Sequence, residues 1–361
     1  MKRRDVLAGA GALAVTGCAG EAVDCESGPA GEQFTWKMVT TWPPNFPGLG
    51  TGVVNLVDFI ERASAGRLKI KIYAAGELVP PFEVFGTVSS GTAEMGHGAG
   101  YYWKGKSEAT QFFTAIPFGM SAQEMKGWLY YGGGMELYRE LYAKFGLIPF
   151  PCGNTGVQMG GWFNREINSV DDLQGLKMRI PGFGGEVLKL AGGTPVSLPG
   201  SEIFTALQTG SIDATEWVGP YNDVAFGLHK AAKYYYYPGW QEPGPVLECM
   251  VNQAAFEALP ADLQTIIEIA CSAVNDQMEA EFTARNASAL AQLREDDSIE
   301  IRPFPDAVLV ELRKLTDRVI QDMEKRDPMV ARVMESVNAY RAQVNDWTAI
   351  SEHAMLNVRS L

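Results

Sequence analysis

The chain has 361 residues, 46% of them hydrophobic, and sets 43 Asp and Glu against 30 Lys and Arg for a formal net charge of −13. That length suits two domains of ordinary size, each with a core of its own. The acidity argues against nucleic acid and bulk anionic lipid as partners, and it means that an anionic ligand must be drawn in by a local cation.

Lys2, Arg3 and Arg4 precede an Ala/Gly/Leu-rich run over residues 6–15, and small residues follow at Thr16-Gly17-Cys18. The run is too short for a permanent membrane span, so residues 1–17 read as a secretory signal. Arg3-Arg4 followed by Asp5-Val6-Leu7 resembles a twin-arginine export signal, with Val6 where Phe is more usual. Val15-Thr16-Gly17-Cys18 also resembles a lipobox, in which Cys18 would be lipidated and tether the mature chain to a membrane surface. A signal cleaved a few residues later is the alternative. Either reading places the working protein outside the cytoplasm, in the periplasm.

A linker over 18–33 leads to a strand at 34–39. Val53, Leu56, Val57 and Ile60 recur at helical spacing, and Gly66 supplies the stop. Leu68, Ile70 and Ile72 alternate with Lys69 and Lys71 as a strand; Pro80-Pro81 opens a helix that ends before Gly91; residues 92–95 return as a short strand. Residues 176–217 repeat this order of elements. Alternating strands and helices predict parallel sheets covered by helices, and two such units predict two lobes.

Residues 146–163 and 243–252 are rich in β-formers and predict strands that cross between the lobes as a hinge. A helix from Pro260 to about Leu293, with Leu263, Ile266, Ile267, Ala270 and Val274 on one face, is long enough to span both. Lobe I then takes residues 34–153 plus part of 245–361, and lobe II takes 154–244 plus part of 253–361. Helices over 327–361 end the chain, with neither Pro nor Gly after residue 328. Their apolar residues, among them Val330, Val333, Val337, Trp347, Ile350 and Leu356, either fold back on the body or embrace a second copy.

Four cysteines follow Cys18. Cys152 and Cys249 lie near the ends of predicted strands that would be neighbours, where a disulfide suits an oxidising compartment; buried free thiols are the alternative. No Cys/His spacing resembles a zinc site.

Arg179 and Glu216 stand on two strands of the second unit, so rigid structure would hold both against a small anion. A guanidinium fork can hold a carboxylate in two parallel hydrogen bonds, although strand arginines more often meet water. Pro181-Gly182-Phe183-Gly184-Gly185 lets the backbone approach a ligand closely. Asn154, Thr155 and Gln158 gather at the hinge with Trp217 and Trp240-Gln241-Glu242. Gln158, Glu216 and Glu242 offer hard oxygen donors suited to Na⁺ or Ca²⁺, and the Trp217 carbonyl is a further donor. Each of these residues also has an ordinary structural explanation as a cap, a solvated turn or a strand edge. Tyr101-Tyr102-Trp103 follows the third strand and either walls the cleft or packs in a core. The ligand-contact set is Arg179, Asn154, Gln158, Trp217, Tyr102 and Phe183. With neither a Gly-x-Ser-x-Gly elbow nor an HExxH motif, no enzyme is expected. A secreted hydrolase and a structural lipoprotein without a small ligand are the competing readings.

Thr41-Trp42, Gly76-Glu77-Leu78-Val79-Pro80, Gly96-His97-Gly98, Asn154-Thr155-Gly156-Val157-Gln158, Leu176-Lys177-Met178-Arg179 and Gly210-Ser211-Ile212-Asp213-Ala214-Thr215-Glu216-Trp217 carry a resemblance over nearly all of the mature chain. They are similar to the extracytoplasmic solute receptors of tripartite ATP-independent periplasmic (TRAP) transporters. The subgroup resembled most binds 2-oxo or 2-hydroxy monocarboxylates such as pyruvate or lactate. The resemblance implies an α/β, two-lobed periplasmic binding protein fold with hinge strands, a long lobe-spanning helix and C-terminal helices. It implies that Arg179 clamps the substrate carboxylate, and that a metal ion bridges substrate and protein through Gln158, Glu216, the Trp217 carbonyl and Glu242. TRAP membrane subunits are the implied partners, with a homodimer formed through an exchanged C-terminal helix. Cys18 departs from the unlipidated members. Glu216, Glu242 and a monocarboxylate against Arg179 leave two negative charges, which Ca²⁺ would cancel and Na⁺ would halve. Residual charge is costly in a closed cleft, so Ca²⁺ is slightly favoured over Na⁺.

Overall fold

The computed structural model describes residues 31–359 and 361; the expected signal segment, Cys18 and Cys25 lie outside them. In chain order the strands among the described residues are β1 (Phe34–Thr40), β2 (Leu68–Tyr73), β3 (Met95–Gly98), β4 (Leu147–Asn154), β5 (Gly161–Phe163), β6 (Lys177–Arg179), β7 (Thr194–Val196), β8 (Ala214–Thr215), β9 (Tyr234–Tyr237), β10 (Val246–Asn252) and β11 (Glu300–Pro303). They form one sheet in the order β2-β1-β3-β10-β4 and a second in the order β11-β9-β5-β8-β6-β7. Each sheet is the centre of one lobe.

The repeated strand-helix units produce the parallel parts: β1 pairs in parallel with β2 and β3, and β6 with β7 and β8. Strands that arrive by crossing from the other lobe enter in reverse. β10 is antiparallel to both β3 and β4, and β5 is antiparallel to both β8 and β9. The third strand starts at Met95 rather than at 92, because Gly91, at φ 74°, opens a left-handed turn that residues 92–94 complete.

The hinge also differs from the expectation of continuous crossing strands. β4 stays in the first sheet and ends at Asn154, β5 begins in the second at Gly161, and β10 lies wholly in the first. The chain crosses in the segments between these strands, over 155–160 and 238–245. Gly153 and Gly156, at φ 149° and 68°, turn the backbone out of β4 where other residues would be strained.

The helix Leu49–Ala63 buries Leu49, Val53, Leu56, Val57 and Ile60 at the spacing that its sequence dictates. The helix Ala261–Arg294 buries Leu263, Ile267, Ala270, Val274, Met278 and Phe282. It packs on β4 and the helix Leu49–Ala63 in one lobe and on the helix Pro220–Phe226 in the other, so it does span both. The helix Pro328–Thr348 divides the two readings of the tail. Its first half buries Met329, Val330, Val333, Met334 and Val337 against the body, and Trp128 Nε1 donates to Ser336 Oγ at 3.0 Å. Beyond it Trp347, Ile350, Met355 and Leu356 are exposed. Among the described residues no helix is long and apolar enough to cross a membrane.

Cys152, Cys249 and Cys271 are buried free thiols, so of the two readings of Cys152 and Cys249 the unpaired one holds. β4 and β10 are neighbours, but the register sets Cys249 opposite Phe150, and a shift between Val246 and Glu248 displaces Cys152 from any cross-strand partner. Alkylation of the unfolded protein without reductant should therefore modify all three. A Cys152–Cys249 linked peptide pair in the mass spectrum would contradict this.

Candidate functional site

Arg179 ends β6, and neighbouring strands hold its backbone on both sides: Glu216 N donates to Arg179 O at 3.2 Å, and Ile180 N to Val196 O at 3.2 Å. Its side chain points inward and is 1% exposed. Nη1 donates to Glu216 Oε1 at 2.5 Å and to Glu216 O at 3.1 Å, and Nε donates to Leu198 O at 3.2 Å. Nη2 has only a long contact, 3.4 Å, to the hydroxyl of Tyr102 from the opposite lobe. The guanidinium also lies 5.1 Å from the Trp217 ring centroid. Four of its directions are thus taken, and the Nη2 edge remains for a ligand. A fork with two parallel bonds to a ligand would need Nη1 or Nε to release one of these protein partners. The arrangement instead offers an anion Nη2 together with the Tyr102 hydroxyl, which accepts from Nη2 and keeps its own proton to donate.

Glu216, Gln158 and Glu242 are 1%, 4% and 4% exposed. Glu216 Oε2, Glu242 Oε2 and Gln158 Oε1 have no hydrogen-bond partner. Their segments are tied together by main-chain bonds, Gln158 N to Glu242 O at 3.2 Å and Gly239 N to Gln158 O at 2.9 Å. Burial pushes the Glu216 carboxyl up to about 7, against the pull of Arg179, and Asp223 adds to the rise. Burial and then the Glu216 charge push Glu242 well above the carboxylate range, while Arg179 and the Gln158 amide pull the other way. Two buried carboxylates therefore share a single guanidinium.

Unsatisfied buried acceptors are costly, and a hard cation removes that cost by taking them as ligands. Three orphan oxygens from three chain segments, two of them acidic, fit Na⁺ or Ca²⁺. Among the described residues no group of three or more His, Cys, Asp or Glu could hold a metal ion. A donor set of two acids, one amide and one main-chain carbonyl would not form such a group.

The remaining expected contacts divide. Tyr102 stands at the guanidinium, as above. Asn154 is occupied in the hinge, where its Oδ1 accepts from Gly156 N at 2.8 Å and its Nδ2 donates to Gly244 O at 3.3 Å. Phe183, 3% exposed, packs edge-on against Phe112 of the other lobe at 4.5 Å. Its neighbour Gly182, at φ 58°, leaves so little space that an added Cβ would lie 2.7 Å from Tyr101 Cβ. Gly182→Ala should hold the lobes apart and weaken ligand binding about tenfold, or ~1.4 kcal/mol, by calorimetry. Unchanged affinity would show that this contact does not limit closure.

Trp42 and His97 lie in motifs that carry the resemblance but take no site role from the sequence, and Asp223 is not singled out there at all. Trp42 Nε1 donates to His97 Nδ1 at 2.8 Å, and His97 Nε2 donates to the Cys152 carbonyl at 2.8 Å. These two bonds set the imidazole tautomer, and burial lowers its pKa to about 4, so the ring is neutral. Trp42 is thereby fixed with its ring 6.2 Å from both Tyr102 and Trp217. Asp223 is 1% exposed and accepts from Val218 N, beside the Glu216-Trp217 pair. The aromatics carried no local pattern, and Asp223 reads in sequence as an ordinary helix residue.

Residues 38–327 match the model of the DctP family, described as bacterial extracellular solute-binding protein, family 7. The chain is similar to a monocarboxylate 2-oxoacid-binding periplasmic protein of Nostoc sp. strain PCC 7120, 42% identical over 100% of this chain and 99% of the relative. In structure it is similar to a TRAP periplasmic solute binding protein of Colwellia psychrerythraea with bound calcium and pyruvate. That likeness has a TM-score of 0.88 and 45% identity, covering 90% of this chain and 99% of the other. A TRAP periplasmic solute binding protein of Pseudoalteromonas atlantica T6c, with bound sodium and pyruvate, has the same TM-score, identity and coverage.

Proposed function

This chain belongs to the DctP family, family 7 of the bacterial extracellular solute-binding proteins, and we propose that it captures a small 2-oxo or 2-hydroxy monocarboxylate of the pyruvate or lactate class between its lobes. A bound metal ion bridges ligand and protein, and the receptor delivers its cargo to TRAP membrane subunits. The observation that carries this reading is the buried Arg179, whose Nη2 makes only the long contact to Tyr102, in the same electrostatic cluster as the partnerless oxygens of Glu216 and Glu242 and the Gln158 amide. Arg179 Nη2 and the Tyr102 hydroxyl hold the carboxylate. Gln158, Glu216, Glu242 and the Trp217 carbonyl hold the metal, which supplies a second positive centre for the ligand oxygens. Trp217 and Phe183 wall the cleft, and Asn154 acts by shaping the hinge. The protein binds without turnover.

Relatives with pyruvate hold calcium in one case and sodium in the other. Here the two carboxylates and the ligand outweigh Arg179 by two charges, so Ca²⁺ leaves the closed site neutral and is favoured. Calorimetry with pyruvate and lactate, with Ca²⁺, with Na⁺ and with a calcium chelator, tests both points. Saturable binding without heat of turnover is expected. A protein that binds neither acid with either ion overturns the reading, and tight binding in sodium that ignores the chelator overturns the choice of ion.

The two separate sheets support a lobe I over 34–153 plus part of 245–361 and a lobe II over 154–244 plus part of 253–361. The exposed apolar residues after 345 support a homodimer formed through the C-terminal helices within 327–361. The lipobox residue Cys18 supports a tether to the membrane, next to the permease that the receptor serves.

A further inference from the structure

The helix Pro220–Phe226 follows directly on Glu216-Trp217, and three successive residues in its first turn face three different bodies. Tyr221 N donates to Asn286 Oδ1 on the spanning helix at 2.9 Å. Asn222, 0% exposed, reaches into the opposite lobe, where its Nδ2 donates to the Pro47 carbonyl at 2.9 Å, in the loop after β1. Asp223 turns back into its own lobe. Its Oδ1 accepts from Val218 N at 3.2 Å, and its Oδ2 accepts from Trp162 Nε1 at 3.0 Å and Tyr235 OH at 2.7 Å.

All the partners of Asp223 are donors, so this position needs a group that only accepts, and a carboxylate is that group. Asn222 is in the reverse situation. Its Oδ1 has no partner, so its polar anchorage is the single bond to the other lobe. The same junction carries an aromatic contact: Phe46, adjacent to Pro47, stacks on Phe226 at 4.2 Å, and the Trp217 ring meets both at 6.2 and 5.0 Å.

We propose that Asn222 is a closure residue, whose bond to the Pro47 carbonyl forms as the lobes shut and, through the hold of Asp223 on Val218, fixes the Trp217 segment in its ligand-bound position. This rests on the receptor reading above. A contact present only in the closed state adds to the free-energy difference between closed and open forms. It therefore retains a ligand already bound and does little for the encounter, which precedes closure. Asn222 acts through the neighbouring segment and is a positioning residue.

The test is stopped-flow binding of pyruvate with Ca²⁺ to the wild type and to Asn222→Ala. Dissociation should be about tenfold faster in the variant, with association changed by less than about twofold. The melting temperature without ligand should stay as in the wild type, and the rise produced by pyruvate should shrink. A variant that melts lower by the same amount with and without ligand has lost an ordinary packing contact, which overturns the proposal, as does an unchanged dissociation rate. On the wild type itself, exchange of the Asn222 side-chain amide protons should slow when pyruvate and Ca²⁺ are added; equal protection in the free protein also overturns it. Wild type that binds no pyruvate would defeat the receptor reading, and this inference with it. Binding by the wild type with an unaffected variant defeats the closure role alone.

Discussion

Arg179→Ala is expected to eliminate measurable pyruvate or lactate binding and to destabilise the folded protein. The guanidinium bonds the buried Glu216 carboxylate and acts electrostatically on the buried Glu242, and it also satisfies the Glu216 and Leu198 carbonyls. Removing it leaves buried charges unmatched, which costs on the order of 3–5 kcal/mol. Binding loses the same cation against a ligand that is itself an anion, so a micromolar affinity, about −8 kcal/mol, should fall beyond calorimetric range. Arg179→Lys does not rescue it, because one ammonium cannot reach Leu198 O, Glu216 and the ligand at once. A double variant, Arg179→Met with Glu216→Gln, should recover much of the stability and none of the binding. That contrast separates collapse of the fold from loss of the site. Arg179→Ala that still binds either acid tightly would refute the assignment.

Metal removal should have the second largest effect. Chelation is expected to abolish tight carboxylate binding, since the ligand would then meet two carboxylates with only the Arg179 edge to attract it. The pH dependence of the metal-free protein checks the same charge arrangement. An ordinary glutamate titrates at 4.5, whereas burial raises Glu216 to about 7 and Glu242 well above its ordinary value. Across that interval the folded state holds protons that the unfolded state has released, so stability falls as pH rises. The contribution is fully present below 4.5 and is lost as pH passes the raised values. A bound cation replaces the missing protons. Ca²⁺ should therefore raise the melting temperature more at pH 8 than at pH 5, and its binding should release protons. Asp223, raised to about 6 by burial, slopes in the same direction but does so with or without Ca²⁺. A calcium effect that is larger at pH 5 would mean that these carboxylates are not the ligands.

Much of this architecture was legible in the sequence because its signals are local. The period of Val53, Leu56, Val57 and Ile60 and the alternation of Leu68, Ile70 and Ile72 each follow from the geometry of one element. The spanning helix was equally clear, since its apolar face repeats without a breaker from Leu263 to Val274. The candidate ligands came from donor chemistry, a strand arginine in an acidic chain and hard oxygen donors close to glycine-rich turns, together with the roles that the family resemblance implied.

Other features depended on tertiary structure. The hinge lies between strands rather than within them, because β4 and β10 find all their partners in the first sheet. That same pairing sets Cys249 opposite Phe150, and Cys152 and Cys249 are free thiols. Nothing local could show that Nε and Nη1 of Arg179 are already taken, that Asn154 spends its amide on the hinge, or that Asn222 reaches Pro47. Each is a contact between residues far apart along the chain, and its geometry follows from how whole sheets and helices pack. Composition, compartment, element type and the donor chemistry of the cleft are properties of residues and short windows, so the sequence determined them; which hydrogen remains free, which oxygen stays without a partner and which lobe meets which are decided only when distant segments are brought together.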